Sequence, residues 1–184
     1  LVCPVQEARR VPGLTEPVLQ MFGAKPFANV RMRLMSDTPK DDLLDIDKFL
    51  CFSVYSAGHA FNRVYKPMLD ALGLTYPQYL VMVALWQDDN QSVRSIGEKM
   101  YLESSTLTPL LKRLEANGLV TRKRDPKDER SVRISLTDKG KELRKQAEDV
   151  PLCVFEATGL DVETAKRLVR DLRALRDRLD GGLS

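Results

Sequence analysis

Long apolar runs are missing from this 184-residue chain. Nowhere do about 20 apolar residues follow one another, as a membrane-spanning helix requires. The N-terminus lacks the basic, apolar, small-residue order of a secretory signal, so the expectation is a cytoplasmic protein with no membrane partner. Cysteine and histidine are scarce. Cys3, Cys51 and Cys153 stand far apart, and His59 is the single histidine. That set supplies neither a zinc site nor a disulfide framework; no metal or other cofactor is expected, and the thiols are left with redox chemistry or packing. Aromatic residues make up only 7% and the formal net charge is only +3. A balance so small identifies no partner, and the placement of the charge has to. The length suits one ordinary domain with a tail, and a second enzyme domain does not fit.

What is present is a helical pattern with one interruption. Residues 1–36 carry Pro4, Pro12, Pro17 and Pro26 with scattered arginines and read as a disordered extension ahead of a domain over 37–184. Met35, followed by a polar lead-in and a patterned helix, is the expected natural start. From about Asp45 to Tyr65, Leu50, Val54, Ala57, Phe61 and Val64 recur at helical spacing, and Pro67 is expected to end or kink that helix. Thr75 and Pro77 open a second helix through Leu80, Val83, Ala84 and Trp86, stopped by Asp88, Asp89 and Asn90.

A short helix over about Val93 to Tyr101 turns into another whose cap is Ser104 or Ser105 and whose inward stripe is Leu107, Leu110, Leu111 and Leu114, ended by Asn117-Gly118. Two short helices joined by a tight turn make a helix-turn-helix. The period then changes. Leu119 to Arg122 suits a strand, Val132, Ile134 and Leu136 alternate with Ser131, Arg133 and Ser135, and Lys123 to Arg130 is expected to be the hairpin tip. Thr137 caps a helix through Leu143 and Ala147, expected to bend at Pro151. The last helix, about Val162 to Leu179, shows Leu168, Leu172, Leu175 and Leu179 on one side. Neither terminal helix has a partner in so small a chain, so both are expected to pack across a homodimer. The fold class is therefore mainly α with a small β-hairpin wing, a winged helix-turn-helix.

Between Ser104 and Arg144 basic residues outnumber acidic ones, concentrated on the second helix of the pair and on the hairpin. A phosphate backbone attracts such a surface through counterion release. Ser104, Ser105, Thr106 and Thr108 are small hydroxyl residues able to approach base edges and phosphates. A charge run alone is usually a solvated face, but here tandem helices, an Asn-Gly stop, a charged hairpin and a hydroxyl-rich helix start agree.

The run LTPLLKRLEANGLVTRKRDPKDERSVRISLTDKG, Leu107 to Gly140, resembles the recognition helix and wing of MarR-type regulators. The resemblance implies a dimeric repressor with the second helix in the major groove and the wing in the minor groove, where Asp128 and Arg130 match positions that orient or insert the wing. Ser104, Thr106, Thr108, Lys112 and Arg113 are assigned to the groove and backbone. The implied partner is double-stranded DNA, and two-fold symmetry makes the operator a near-palindrome with half-sites about 34 Å apart.

The segment FLCFSVYSAGHAFNRVYKPMLDALGLTYPQYLVMVALW, Phe49 to Trp86, is similar to the organic hydroperoxide sensors of the OhrR branch. There the matching cysteine is a peroxide-reactive thiolate held by two tyrosines of the partner subunit, which correspond to Cys51, Tyr65 and Tyr76, and an organic hydroperoxide is the implied effector. Residues 51 and 65 of one straight helix lie about 21 Å apart, so a shared site requires antiparallel pairing across a two-fold axis. Phenol donors and a helix N-terminus favour the thiolate, whose first oxidation product is a sulfenic acid. In two-cysteine relatives a second cysteine resolves it; that position falls near Glu156, three residues past Cys153 and on the same helix face. Either Cys153 or a small thiol resolves the acid, and Cys3 is incidental.

His59 reads as packing or surface, Trp86 and Phe61 as core, and Tyr55 and Tyr101 as core or pocket lining. A second reading keeps the fold and replaces oxidation by reversible binding of a small aromatic ligand. A thiol peroxidase is disfavoured, because the chain lacks the thioredoxin-like alternation of strands and helices, and the protein is read as no enzyme.

Overall fold

The computed structural model describes residues 45–126 and 128–182. The expected extension over 1–36, the start at Met35 and Cys3 lie outside the described residues. The chain divides into two compact units. One is Leu50–Gly159; the other holds a 3-10 turn, Ile46–Lys48, and the last helix.

Helix α1 spans Leu50–Ala71 and departs from expectation at both ends. Asp45 caps the 3-10 turn instead, its carboxylate accepting from the Asp47 N–H at 3.1 Å, and the α-helix starts only at Leu50. Pro67 does not end it. The proline removes one helical N–H, but continuing for another turn buries Leu69 and packs Met68 against the core. The helix closes at Gly73, whose φ is +68°, with the Leu74 N–H donating to the Leu69 carbonyl at 2.9 Å.

Helix α2, Tyr76–Gln87, starts as expected, with the Thr75 N–H donating to the Gln78 side chain at 2.8 Å and Pro77 in the first turn. It is apolar nearly all round and fills the middle of its unit through Tyr79, Val81, Met82 and Leu85. Gln91, at the following turn, is a buried amide with its needs met. Its Nε2 donates to the carbonyls of Ala84 and Asp88, and its Oε1 accepts from the Ser95 hydroxyl.

Helix α3, Val93–Met100, carries Ile96 inward as expected and ends at Tyr101 in the left-handed region. Helix α4, Ser104–Ala116, buries Leu107, Leu111 and Leu114. Its cap is Glu103, so the expectation of Ser104 or Ser105 is corrected. The left-handed Tyr101 makes the turn so short that Ser104 is already helical. The Asn117-Gly118 stop is found, with Gly118 at φ +71°.

Strands β1 (Gln91–Ser92), β2 (Val120–Asp125) and β3 (Asp128–Leu136) form an antiparallel sheet in the order β1-β3-β2. The expected tip over Lys123 to Arg130 is too long, since the β2–β3 ladder runs from Val120↔Leu136 to Asp125↔Asp128 with an irregularity at Arg124/Asp125. Charged residues pair through their backbones as well as apolar ones do, and on this ribbon no alternation advertises it. Thr137 caps helix α5, Asp138–Ala147, by accepting from the Gly140 N–H at 3.0 Å. The expected bend at Pro151 is a full break, after which helix α6, Val150–Ala157, begins with Pro151 in its first turn, where a proline costs no helical bond. Helix α7 is Val162–Gly181, capped by Asp161.

The apolar stripe of α1, on a terminal helix expected to pack across a homodimer, lies mostly on the surface among the described residues, with Val64 alone half-buried. Leu50, Val54 and Phe61 are exposed, as is Tyr55, so Phe61 and Tyr55 are corrected from core to surface. Helix α7 has no buried residue, and Leu168, Leu172 and Leu179 are exposed. Among the described residues no single helix is long and apolar enough to cross a membrane.

Candidate functional site

The α4 surface is built by the leucine stripe beneath it. Because Leu107, Leu111 and Leu114 point inward, Thr106, Lys112 and Arg113 are left exposed on the outer side, with Ser104 exposed at the first turn. Thr108 is half-buried and its hydroxyl donates to the Ser104 carbonyl at 2.7 Å, so only its oxygen lone pairs remain for another group. At the far end of the hairpin Asp128 and Arg130 are exposed, and the Asp128 carboxylate accepts from the Arg130 N–H at 3.1 Å. The aspartate thus shapes the tip from which the arginine projects. Five of the seven residues assigned to DNA thus lie along α4, outside its leucine stripe, and the other two lie at the hairpin tip.

The four residues assigned to redox chemistry divide differently. Cys51 is the second residue of α1 and is exposed. Tyr65 lies on the same helix, which is unbroken between them, so about 21 Å of rise separates the two. Tyr76, the first residue of α2, meets Tyr65 with ring centroids 4.6 Å apart. Cys153 is exposed on α6, where Val150 and Val154 turn inward. The two tyrosines are therefore assembled within one chain and the cysteine is remote from them.

Tyr79 was not singled out from the sequence, yet its ring lies 5.9 Å from Tyr65 and 6.3 Å from Trp86. Its spacing of three from Tyr76 on a helix was the available signal. Burial, with the neighbouring phenols of Tyr76 and Tyr79, pushes the Tyr65 phenol up to about 12. Burial raises Tyr76 as well. Both phenols therefore stay protonated as hydrogen-bond donors across the neutral range. His59 packs edge-on to Tyr55, 4.4 Å between centroids, and both are exposed. Tyr101 is exposed too.

An open groove of about 470 Å³ runs beside this cluster, lined by Tyr79, Val83 and Trp86 of α2 and by Arg144, Ala147 and Pro151. Arg144 was not singled out from the sequence, and its position on α5 carried no motif to mark it. Among the described residues no cluster of His, Cys, Asp or Glu is arranged to hold a metal ion.

Comparison with known proteins shows the family. A family profile described as the transcriptional regulator SarA/Rot matches residues 63–147. The chain is 48% identical over 149 residues to the HTH-type transcriptional regulator TtmR of Methylorubrum extorquens, covering 81% of this chain and 76% of that one. It is 43% identical over 140 residues to the organic hydroperoxide resistance transcriptional regulator of Bacillus subtilis, covering 76% and 95%. Among solved structures it is similar to AbfR of Staphylococcus epidermidis in its reduced form bound to DNA, with 38% identity, a TM-score of 0.60 and coverage of 71% and 92%.

Proposed function

The chain belongs to the SarA/Rot and MarR-like winged-helix transcriptional regulators that bind DNA, and from that premise we propose that it is a cytoplasmic, homodimeric repressor released from its operator when an organic hydroperoxide oxidises Cys51. The observation that carries this reading is the separation just described. An exposed thiol in the first turn of α1 and a protonated tyrosine pair about 21 Å further along the same helix form one site only when two copies pair antiparallel. The exposed apolar residues of α1 supply a face for such pairing.

The chemistry follows from the parts. The Cys51 thiolate attacks the terminal peroxide oxygen, the O–O bond breaks, and the alkoxide leaves and takes a proton as the alcohol. Sulfur is oxidised to the sulfenic acid and the peroxide is reduced. Tyr65 and Tyr76 of the other copy donate hydrogen bonds to the thiolate and hold it ready. A second thiol, either Cys153 or a small molecule, then forms a disulfide with loss of water. Closing a bond from Cys51 to Cys153 brings their Cα atoms within about 7 Å and would shift the DNA-reading elements. The relative from Bacillus subtilis is by its name a regulator of organic hydroperoxide resistance, which supports this choice of effector.

On DNA, Ser104, Thr106, Thr108, Lys112 and Arg113 occupy the major groove and its backbone, and Arg130, set by Asp128, reaches the minor groove of a near-palindromic site. A second reading is favoured by the groove beside Tyr79 and Trp86, where aromatic walls and Arg144 suit a small aromatic anion. Gel shifts on the protein's own upstream DNA separate the two. Wild type should be released by organic hydroperoxide and restored by dithiothreitol, and Cys51→Ser should stay bound. Release of Cys51→Ser by peroxide sinks the thiol switch, and release of both proteins by an aromatic acid alone establishes the second reading.

A further inference from the structure

We propose that Arg133 is a positioning residue for the wing, latched to the turn that ends α2 by Asn90, and that it acts without touching DNA. The inference rests on the reading of β2–β3 as the wing that enters the minor groove.

The geometry is specific. Arg133 Nε donates to Asn90 Oδ1 at 2.9 Å, its Nη2 donates to the Asn90 carbonyl oxygen, and its Nη1 donates to Asp125 Oδ2 on the neighbouring strand at 3.3 Å. One planar fork therefore joins three acceptors on two elements, a task that a lysine ammonium on a flexible stem does not perform. The Ser135 hydroxyl donates to the same Asn90 Oδ1 at 3.2 Å, and Asp89 Oδ1 accepts from the Leu136 N–H at 2.8 Å. Asn90 is held at φ +58°, a left-handed conformation that asparagine tolerates better than most residues. The two-residue turn Asp89-Asn90 thus grips β3 through its residues 133, 135 and 136.

The location gives the latch its leverage. Strand β1 pairs with β3 only at Ile134 and Arg133. From Val132 outward the ribbon has two strands, and two-stranded ribbons are marginally stable by themselves. Arg133 stands at the last residue with a third strand, so its bonds set the angle at which the ribbon leaves the body. Arg130 lies three residues further out, about 10 Å along the strand, so a tilt of about 10° there moves the tip by about 2 Å. The Asp125 carboxylate meanwhile neutralises the guanidinium, which makes it a poor phosphate ligand.

The test uses the full chain and a duplex carrying its own upstream DNA. Asn90→Gly keeps the left-handed backbone and removes only the side-chain acceptor, while Arg133→Lys keeps the charge and loses the fork. Each should lower affinity roughly tenfold, the scale of a charged hydrogen bond, and the double variant should be no weaker than either single one. In an Arg130→Ala background, where the tip cation is already absent, neither change should alter the slope of affinity against salt any further. Hydroxyl-radical protection of the flanking minor grooves should fade while guanine N7 protection in the major groove persists. Wild-type affinity in Asn90→Gly, wild-type affinity in Arg133→Lys, or a salt slope flattened by a further ~0.9 when Arg133→Gln is added to Arg130→Ala would overturn the latch, the last two by making Arg133 a direct phosphate contact. If wild type itself shows no flanking protection, the wing reading beneath the proposal fails and the latch falls with it.

Discussion

The indole N–H of Trp86, near the end of α2, donates to the carbonyl oxygen of Gly140, in the first turn of α5, at 2.9 Å. The same glycine leaves no room on its other side, because a Cβ there would collide with the carbonyl oxygen of Leu119 at the root of β2. One residue therefore packs the start of α5 against the hairpin and bonds it to α2. Gly140→Ala should cost about 1–3 kcal/mol, as overpacking against backbone does, and Trp86→Phe about 1 kcal/mol for the lost hydrogen bond. Urea denaturation measures both, and an unchanged midpoint in Gly140→Ala would contradict the close approach.

Tyr65 should ionise late. Its phenol is raised from 10.0 to about 12 in the folded chain. The unfolded chain releases that proton near pH 10, so the stabilisation is complete below pH 10 and is lost as pH rises to about 12. Absorbance of phenolate should show a component titrating near pH 12 that disappears in Tyr65→Phe. Uniform titration near pH 10 would mean that the tyrosine pair is open to solvent.

Lys112, exposed on α4, is assigned to the DNA backbone. Lys112→Ala should weaken operator binding and reduce the salt slope by about 0.9. Fluorescence anisotropy at several salt concentrations reads both, and unchanged affinity would move the recognition surface elsewhere.

Cys153 is exposed on α6, three residues before Glu156 and on the same face. Stoichiometric organic hydroperoxide should produce a covalent dimer on a non-reducing gel, absent in Cys153→Ser. Absence of that band in wild type would assign the resolving step to a small thiol.

Leu172 is exposed on α7 together with Leu168 and Leu179, a face suited to a second copy. Leu172→Arg should shift the protein towards monomer in sedimentation velocity and lower operator affinity. An unchanged dimer would remove α7 from the interface.

Periodicity made α3, α4 and α5 legible, since each buries a stripe repeating at 3.6 residues and carries a stop or a cap, whereas α2, apolar nearly all round, was marked by Thr75, Pro77 and its polar stop. It failed where the deciding contact was remote in sequence. Nothing near Pro67 announces that Leu69 will be worth reaching, and two residues at Gln91-Ser92 are too few to show a strand. The tips of β2 and β3 are charged on both faces, so no alternation marked them. Tyr65 and Tyr76 were named by resemblance to a family, but their contact, and the addition of Tyr79 to it, depended on how α1 and α2 cross.

Local rules of the chain alone determined the helix-turn-helix, the glycine stops and the basic charge on the second helix of the pair, because each depends on residues a few positions apart. Folding in three dimensions decided the rest. It left the apolar face of α1 uncovered, gathered three phenols in one place, and tied the hairpin to Asn90 through Arg133. Those outcomes depend on groups 11 to 43 residues apart, and no local pattern encodes which of them will meet.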